Sequence, residues 1–212
     1  MNNKLTVLFD MDGVVIDTES QYDIIWSSIG KMYHPEIPHF EKLIKGTIMP
    51  NILDKYFSHL SQEEQLKIRQ MVEEFELSMD FYEVKGAVSF IRLLKEEGIK
   101  TGLVTSSGIE KVNIIAGKFH FDQLFDVIVT AERITQGKPD PMCYLLAASD
   151  LKTDPADCVV FEDSFAGIQA ATSAGMKVVG LSTTNNKESL QDKVLKVIPD
   201  FIEFTPEQLY RL

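Results

Sequence analysis

Short apolar runs that alternate with helical patterns are the feature of this sequence that most limits its fold. Each run is rich in β-branched and aromatic residues and predicts a strand buried on both faces. Helical patterns over 110–118, 141–149 and 165–174 separate the last four runs, so a mostly parallel sheet with helices on both sides is expected. The predicted fold class is α/β, with a doubly wound parallel sheet. The runs are Leu5-Thr6-Val7-Leu8-Phe9, Thr101-Gly102-Leu103-Val104, Val127-Ile128-Val129, Cys158-Val159-Val160-Phe161 and Val178-Val179-Gly180-Leu181.

A long insertion separates the first apolar run from the second. About ninety residues lie between them, far more than one crossover needs. Apolar residues recur at helical spacing across most of this stretch, which predicts a small helical domain of about four helices at 17–82. The α/β domain then comprises 1–16 and 83–212. We expect the aromatic residues of the insertion to be packing residues.

The remaining segments of the α/β domain have simpler patterns. A core helix is predicted at 87–97, with Gly98 ending it. Residues 196–199 predict an edge strand, and 206–212 predict a closing helix with Thr205 as its N-cap. The segment 183–187 is interpreted simply as a polar loop.

The composition excludes several classes of protein. The 212 residues carry 21 Lys and Arg against 32 Asp and Glu, a net charge of −11, so nucleic acid is not an expected partner. No apolar stretch is long enough to span a membrane, and the N-terminus has no signal-peptide pattern, so a cytoplasmic protein is expected. Cys143 and Cys158 are too far apart for a CxxC pair and are predicted to be packed thiols.

Acidic side chains follow two of the predicted strands. Asp10 and Asp12 come directly after the first run, and Glu162 and Asp163 follow the fourth. The carboxyl ends of parallel strands meet at one edge of a sheet, so these groups are expected to share a crevice. Crowded carboxylates repel one another unless a cation lies among them. The sequence therefore predicts a metal site, and an all-oxygen ligand set favours Mg²⁺.

Groups that complement a phosphate follow the neighbouring strands. Thr105 and Ser106 come after the second run, and Lys138 lies in the loop after the third. The Thr105 hydroxyl, the Lys138 ammonium and main-chain amides at the helix start near Ser106 could bind phosphate oxygens. We therefore expect the partner to be a small phosphorylated molecule.

Other catalytic signatures are absent from the sequence. It has no GxxxxGK[ST] or GxGxxG loop, no GxSxG turn and no HExxH helix. The four histidines have no ligand-like pairing, so roles at the surface or core edge are expected. Without a Ser–His or Cys–His pair, a carboxylate is the remaining candidate nucleophile.

The segments that follow the first four predicted strands together resemble the motifs of the haloacid dehalogenase superfamily, in the branch with a helical cap inserted after the first motif. The resemblance spans nearly the whole chain and implies a Rossmann-like α/β core. The matching segments are Phe9-Asp10-Met11-Asp12-Gly13-Val14-Val15-Ile16-Asp17-Thr18-Glu19, Leu103-Val104-Thr105-Ser106-Ser107, Gly137-Lys138-Pro139-Asp140-Pro141 and Phe161-Glu162-Asp163-Ser164-Phe165-Ala166-Gly167-Ile168.

The resemblance implies a role for each acidic residue. Asp10 would attack phosphorus and become an aspartyl-phosphate, and Asp12 would act as general acid and then as general base. The Mg²⁺ ligands would be the Asp10 carboxylate, the Asp12 main-chain carbonyl and Asp163, with Glu162 as a ligand or as the support of one. Asp12 also argues against a dehalogenase, because that branch typically lacks an acid at this position.

The resemblance further implies that Thr105, Ser106 and Lys138 bind the phosphoryl group. Positioning and charge neutralisation by such residues supply most of the catalysis in phosphoryl transfer. The cap is expected to close over the site and exclude water.

Within the capped branch, the sequence is similar to β-phosphoglucomutase and its phosphatase relatives, with informative departures. Lys45-Gly46 matches a pair found in the mutases, but Ile48-Met49-Pro50 stands where their arginine is expected. Tyr22 replaces a mutase histidine, and Lys85-Gly86 replaces a common Pro-Gly pair. Losing the arginine removes a clamp for a second phosphate, which favours hydrolysis.

We therefore expect a Mg²⁺-dependent phosphatase that acts on a small phosphorylated metabolite such as a sugar phosphate. The alternatives are a hexose-phosphate mutase, a phosphonatase in which Lys45 forms an imine, and a non-enzymatic module that binds phosphate without turnover. The sequence leaves open the identity of the substrate and the oligomeric state.

Overall fold

The computed structural model describes residues 5–44 and 49–212. The chain divides into two compact units, one formed by Met1–Asp17 with Tyr82–Leu212 and the other by Thr18–Phe81. Lys45, Gly46 and Ile48, which enter the expectations about a mutase or phosphonatase, lie outside the described residues.

A six-stranded parallel sheet forms the centre of the α/β unit, with the strand order β5-β4-β1-β6-β7-β8. The chain builds outward from β1 to β5 on one side and then returns to place β6 against the other side of β1. The strand order therefore reverses between β1 and β6, which is where ligands bind in open sheets of this kind. The strands are β1 (Thr6–Phe9), β4 (Lys100–Val104), β5 (Val127–Val129), β6 (Cys158–Glu162), β7 (Lys177–Leu181) and β8 (Lys196–Ile198).

Helices cover both faces of this sheet. On one face, Leu8 and Val160 pack in a buried cluster with residues of two connecting helices, including Tyr144 and Ile168. On the other face, Phe9 packs with aromatic rings from neighbouring segments. The helices are α5 (Ala87–Glu96), α6 (Ile109–Phe119), α7 (Phe121–Leu124), α8 (Met142–Asp150), α9 (Phe165–Ser173), α10 (Lys187–Leu190) and α11 (Pro206–Leu209), with short 3₁₀ helices at Ala131–Arg133 and Pro155–Asp157.

The aromatic cluster holds β1 and β6 in register immediately before the acidic residues. Phe9 pairs with Phe161 in the strand register, and their rings stack 5.1 Å apart. Phe90 and Phe201 each contact both rings. Offset and edge-to-face ring contacts of this kind are favourable and rigid, so the two strand ends are fixed relative to each other.

The other unit is helical and has its own core. Ile25, Ile29, Ile68 and Val72 are buried there with Trp26 and other aromatic residues. Ser61 is the N-cap of the helix Gln62–Ser78 and forms a capping box, in which Ser61 and Glu64 satisfy each other's main-chain N–H groups. The helices are α1 (Glu19–Tyr33), α2 (Phe40–Ile44), α3 (Met49–Phe57) and α4 (Gln62–Ser78).

The structure differs from the sequence predictions in several local features. Val127 and Ile128 are half-buried, because β5 is an edge strand with a neighbour on one side only. Thr205 is the N-cap of α11, as predicted, but its side chain makes no capping bond and the helix ends at Leu209 rather than at residue 212. A two-stranded antiparallel pair, β2 (Ile16–Asp17) and β3 (Tyr82–Glu83), was not predicted, and neither was α7. Both are too short to produce a periodic pattern.

Two other expectations concern membranes and cysteines. Among the described residues, no helix combines the length and apolar character that crossing a membrane requires. Cys143 and Cys158 are buried free thiols, as predicted, and burial raises the pKa of each.

Candidate active site

The ends of β1 and β6 bring three of the predicted carboxylates together. Asp10 follows β1 directly, and its N–H donates to the Phe161 carbonyl at 3.0 Å, which continues the ladder by one residue. Glu162 is the last residue of β6, and Asp163 follows it. One carboxylate oxygen from each of Asp10, Glu162 and Asp163 lies within 4.8 Å of the others, and all three residues are buried. The site therefore lies at the point where the strand order reverses.

Lys138 reaches this cluster from the loop after β5. Its Nζ donates to Asp10 Oδ1 and to Glu162 Oε1, each at 2.7 Å, and the Val104 carbonyl lies 3.5 Å away. Only 8% of the Lys138 side chain is exposed. The ammonium therefore offsets part of the repulsion between the two carboxylates, in a setting where solvent screens charges weakly.

Glu162 is fully enclosed, and protein donors surround its carboxylate. Its Oε1 accepts from Lys138 and from the Tyr144 hydroxyl, and its Oε2 accepts from both main-chain N–H groups of 163–164 and from the Ser164 hydroxyl. The carboxylate folds back beneath the start of α9, where a Cβ on Gly167 would lie 1.6 Å from Oε1. Gly167 therefore makes room for Glu162. These five contacts leave Glu162 better suited to hold Lys138 than to bind a metal directly.

Burial and the attraction between opposite charges shift the pKa values of Asp10, Glu162 and Lys138 in opposite directions. Burial raises the pKa of Asp10 to about 7, although Lys138 partly opposes this effect. Burial also favours protonated Glu162, but Lys138 and the surrounding donors outweigh it and lower the Glu162 pKa. Burial favours neutral Lys138, but Asp10 and Glu162 raise the pKa of the ammonium well above its usual range. Lys138 is therefore a cation, and Asp10 changes charge near neutral pH in the protein without metal.

The loop after β7 holds Asp163 in place. The Thr184 hydroxyl donates to Asp163 Oδ2, and the Asn185 side chain donates to the Asp163 carbonyl at 2.9 Å. Thr183 donates to the Gly13 carbonyl at 2.6 Å, and a Cβ on Gly13 would lie 2.0 Å from Asp163 Oδ2. The segment 183–187, interpreted from the sequence simply as a polar loop, therefore supplies contacts to Asp163 that were not predicted. This loop follows β7, which lies next to β6. Because the carboxyl ends of parallel strands meet at one edge of the sheet, its position directly after β7 could have identified it as part of the site.

Asp12 faces the loop and helix after β4. Lys111 Nζ lies 2.7 Å from Asp12 Oδ1, and the Ser107 hydroxyl donates to Asp12 Oδ2 at 2.8 Å. Lys111 and Ser107 were not among the predicted site residues. Their signal in the sequence was weak, because Lys111 lies six residues beyond the predicted Thr105 and inside a helical pattern.

The predicted phosphate-binding residues after β4 adopt different environments. Thr105 is buried, and its hydroxyl accepts the Ser107 N–H at 3.0 Å, whereas Ser106 is exposed. At the helix start near Ser106, the main-chain N–H of Ile109 already has a partner, because it donates to the Glu132 carboxylate at 3.0 Å. That bond, with a second from the Thr130 hydroxyl, lowers the Glu132 pKa. The expectation that amides at this helix start are available to a phosphate is therefore wrong for Ile109.

The donor set fits a hard divalent cation. Asp10 and Asp163 supply carboxylate oxygens close to each other, and no nitrogen or sulfur ligand belongs to the cluster among residues 5–44 and 49–212. Oxygen-only sites of this kind suit Mg²⁺ and similar ions rather than softer metals. Lys138 offsets only part of the negative charge of the three carboxylates, so the cluster still attracts a cation.

Comparison with known proteins agrees with this geometry. A family model described as haloacid dehalogenase-like hydrolase matches residues 7–181, which include every acidic residue of the site. The chain belongs to the haloacid dehalogenase-like hydrolase family. This assignment confirms the predicted family and α/β fold class, and it makes the protein an enzyme rather than a non-enzymatic module.

Individual relatives of this hydrolase cover most of the chain. The phosphorylated carbohydrates phosphatase of Thermotoga maritima is 30% identical over 81% of this chain and 82% of its own. The β-phosphoglucomutase of Bacillus subtilis (strain 168) is 30% identical over 82% of each chain. A solved structure of a family IA, variant 3 hydrolase from Entamoeba histolytica superposes with a TM-score of 0.83 at 26% identity, over 98% of both chains.

Proposed function

We propose that this hydrolase is a Mg²⁺-dependent phosphatase of a small phosphorylated metabolite, and that it works through an aspartyl-phosphate on Asp10. The observation that carries the proposal is the position of Asp10, which lies next to Lys138 in a buried cluster with Glu162 and Asp163. A buried carboxylate beside a fixed cation suits attack on a phosphoryl group, because the cation offsets the charge of the incoming group.

Asp10, Asp163 and the Asp12 main-chain carbonyl are the proposed ligands of Mg²⁺. Glu162 supports this set by fixing Lys138, since its own oxygens already accept five hydrogen bonds. When bound, Mg²⁺ would neutralise charge on the carboxylates and on the phosphoryl oxygens. Thr184 and Asn185 orient Asp163 and would thereby determine how tightly the ion is bound.

The proposed reaction has two displacements at phosphorus. Asp10 attacks, its oxygen forms a bond to phosphorus, and the bond to the leaving oxygen breaks while Asp12 gives that oxygen a proton. Water then attacks phosphorus, the bond to Asp10 breaks, and Asp12 takes the proton from the water. The two steps divide one difficult displacement into two easier ones.

Lys138, Thr105 and Ser106 are the proposed phosphate-binding residues. Two short bonds from Lys138 go to carboxylates, and its third N–H faces the Val104 carbonyl at the long distance of 3.5 Å. That N–H could be redirected to a phosphoryl oxygen at low energetic cost. Thr105 is held by the Ser107 N–H, so its hydroxyl proton remains available to a phosphoryl oxygen.

A sugar phosphate is the proposed substrate class. Two of the relatives are named for phosphorylated carbohydrates or phosphoglucose, and both cover about four fifths of the chain. The likeness to β-phosphoglucomutase keeps a hexose-phosphate mutase as the second candidate. Hydrolysis is favoured because Ile48-Met49-Pro50 stands where the mutases place an arginine.

The test is phosphate release from a panel of sugar phosphates and from p-nitrophenyl phosphate, with Mg²⁺ and with a chelator. The proposal predicts Mg²⁺-dependent release that Asp10→Asn lowers by at least 10³-fold. Release that needs no divalent ion, or that persists in Asp10→Asn, would contradict it. Conversion of β-glucose 1-phosphate to glucose 6-phosphate without net release would instead identify a mutase.

A further inference from the structure

We propose that Lys111, together with Ser107, is a positioning residue that holds Asp12 for proton transfer. This inference rests on the proposed phosphatase function, in which Asp12 gives and takes the proton. Neither residue belongs to the catalytic, metal or phosphate-binding set predicted from the sequence.

Lys111 and Ser107 contact different oxygens of the same carboxylate. Lys111 Nζ lies 2.7 Å from Oδ1 of Asp12, and the Ser107 hydroxyl lies 2.8 Å from Oδ2. Two donors on the two oxygens fix the plane of the carboxylate as well as its position. A proton donor must be aligned with the leaving oxygen, so loss of either contact would reduce the fraction of time that Asp12 is aligned.

The location of Lys111 is unfavourable for a residue that serves stability alone. It lies in the first turn of α6, where the helix dipole disfavours a positive charge, and it is only 8% exposed. Lysine is rarely buried without a partner, and its partner here comes from 99 residues earlier in the chain. An apolar residue at position 111 would cover the same core without these costs.

The loop between Thr105 and Lys111 connects the acid to the proposed phosphate-binding residues. The Ser107 N–H donates to Thr105 Oγ1 at 3.0 Å, and the Ser107 carbonyl accepts from the Ala131 N–H at 3.2 Å. Ser107 is therefore fixed at three points, including its bond to Asp12. The same loop that presents Thr105 to the phosphoryl group thus positions Asp12 beside it.

Lys111 also faces the charge that Asp12 acquires during the reaction. When Asp12 gives its proton to the leaving oxygen, the carboxylate becomes negative next to the Lys111 ammonium. This contact is stronger after proton transfer than before it, which is the condition for accelerating that step. The effect should be large when the leaving group needs the proton and small when it does not.

Two phosphate esters of similar size separate this role from a structural one. Benzyl phosphate releases an alkoxide that must be protonated, whereas p-nitrophenyl phosphate releases a stable phenolate. Because kcat/KM reports steps up to the loss of the leaving group, it isolates the first displacement. We expect Lys111→Met to lower kcat/KM about 100-fold for benzyl phosphate and less than about fivefold for p-nitrophenyl phosphate.

Matched variants complete the experiment. Lys111→Arg keeps the charge and should recover most of the benzyl phosphate activity. Ser107→Ala should likewise lower kcat/KM more for benzyl phosphate than for p-nitrophenyl phosphate, by a smaller factor than Lys111→Met does. Lys118→Met removes an exposed lysine from the same helix and should leave both rates unchanged. Thermal unfolding followed by circular dichroism checks that each variant is folded.

Several results would overturn the inference. One is an equal loss of kcat/KM for the two esters in folded Lys111→Met, and another is no loss for either ester. A third is that Lys111→Arg recovers none of the benzyl phosphate activity. If Lys111→Met does not fold, an equal effect of Ser107→Ala on both esters would overturn it. Failure of the wild-type protein to hydrolyse either ester with Mg²⁺ would instead contradict the phosphatase proposal itself.

Discussion

The Lys138 ammonium lies 2.7 Å from Asp10 Oδ1, although 128 residues separate them in the chain. The same ammonium lies 2.7 Å from Glu162 Oε1, so one cation links the ends of β1 and β6. The Lys138 ammonium compensates buried charge in the resting protein, and in the proposed mechanism it also presents a donor to the incoming phosphoryl group.

Replacing Lys138 by methionine should therefore harm both stability and activity. The variant leaves two buried carboxylates without their cation, and removing one partner of a buried ion pair typically costs about 3–5 kcal/mol. Urea unfolding at pH 7.5 measures this loss, and phosphate release should fall at least 10³-fold. The control is Lys95→Met, which breaks a partly exposed pair with Asp126 and should cost less than about 1 kcal/mol. Equal destabilisation by the two variants would contradict this account.

The stability of the protein without metal should fall as the pH rises toward 8. Burial raises the pKa of Asp10 from 3.8 to about 7, so the folded protein binds this proton more tightly than the unfolded chain does. The stabilising contribution of Asp10 is therefore fully present below pH 3.8 and is lost as the pH rises through about 7.

Asp10→Asn provides the comparison for this pH dependence. Between pH 5.5 and 8, the free energy of unfolding should fall by about 2 kcal/mol more in the wild-type protein than in the variant. Urea unfolding in a chelating buffer measures both curves. Parallel curves would show that Asp10 is ionised across this range and would contradict a raised pKa for Asp10.

Gly167→Ala should displace Glu162 from beneath α9. A Cβ at this position would lie 1.6 Å from Glu162 Oε1, so the carboxylate must leave its site and release Lys138. We expect a stability loss of about 1–3 kcal/mol and a loss of activity of at least 100-fold. Gly117→Ala is the matched control, because a Cβ on that glycine of α6 meets nothing within 4 Å. Helix propensity should make the control variant slightly more stable than wild type. Full activity in folded Gly167→Ala would contradict the supporting role of Glu162.

Asn185 should affect the response to Mg²⁺ more than it affects stability. Its side chain donates to the Asp163 carbonyl at 2.9 Å and so orients a proposed metal ligand. Asn185→Ala is expected to raise the Mg²⁺ concentration for half-maximal activity about tenfold. The neighbouring Asn186 caps α10 through the Ser189 N–H, so Asn186→Ala should cost about 1 kcal/mol of stability without changing the Mg²⁺ response. The same Mg²⁺ response in both variants would argue against Asp163 as a ligand.

The strand exits were the part of the site that sequence reasoning could predict. Parallel strands have their carboxyl ends at one edge, so any polar groups after β1 and β6 must approach each other. The apolar runs before Asp10 and Glu162 were long enough to place both strands, and the structure brings these two residues and Asp163 together. The roles proposed for them remain predictions that the experiments above test.

Side chains that reach the site from helices and later loops were harder to predict. Lys111 contacts Asp12 from 99 residues later in the chain, and no periodic pattern encodes such a tertiary contact. Glu132 lies in the 3₁₀ helix after β5 and accepts the N–H of Ile109, the first residue of α6, so this contact depends on the tertiary structure. Helical periodicity likewise did not show which apolar residues face the core, since Ile24 and Leu66 are more than half exposed.

The central claim is a covalent bond between Asp10 and phosphorus, and chemical trapping tests it most directly. An enzyme sample quenched during turnover with Mg²⁺ and its fastest sugar phosphate is treated with borohydride, which reduces an acyl-phosphate of aspartate to homoserine. Peptide mass spectrometry should then find this change at residue 10, and only when substrate was present. Continued turnover with residue 10 unmodified, or with the change at a different aspartate, would contradict the account.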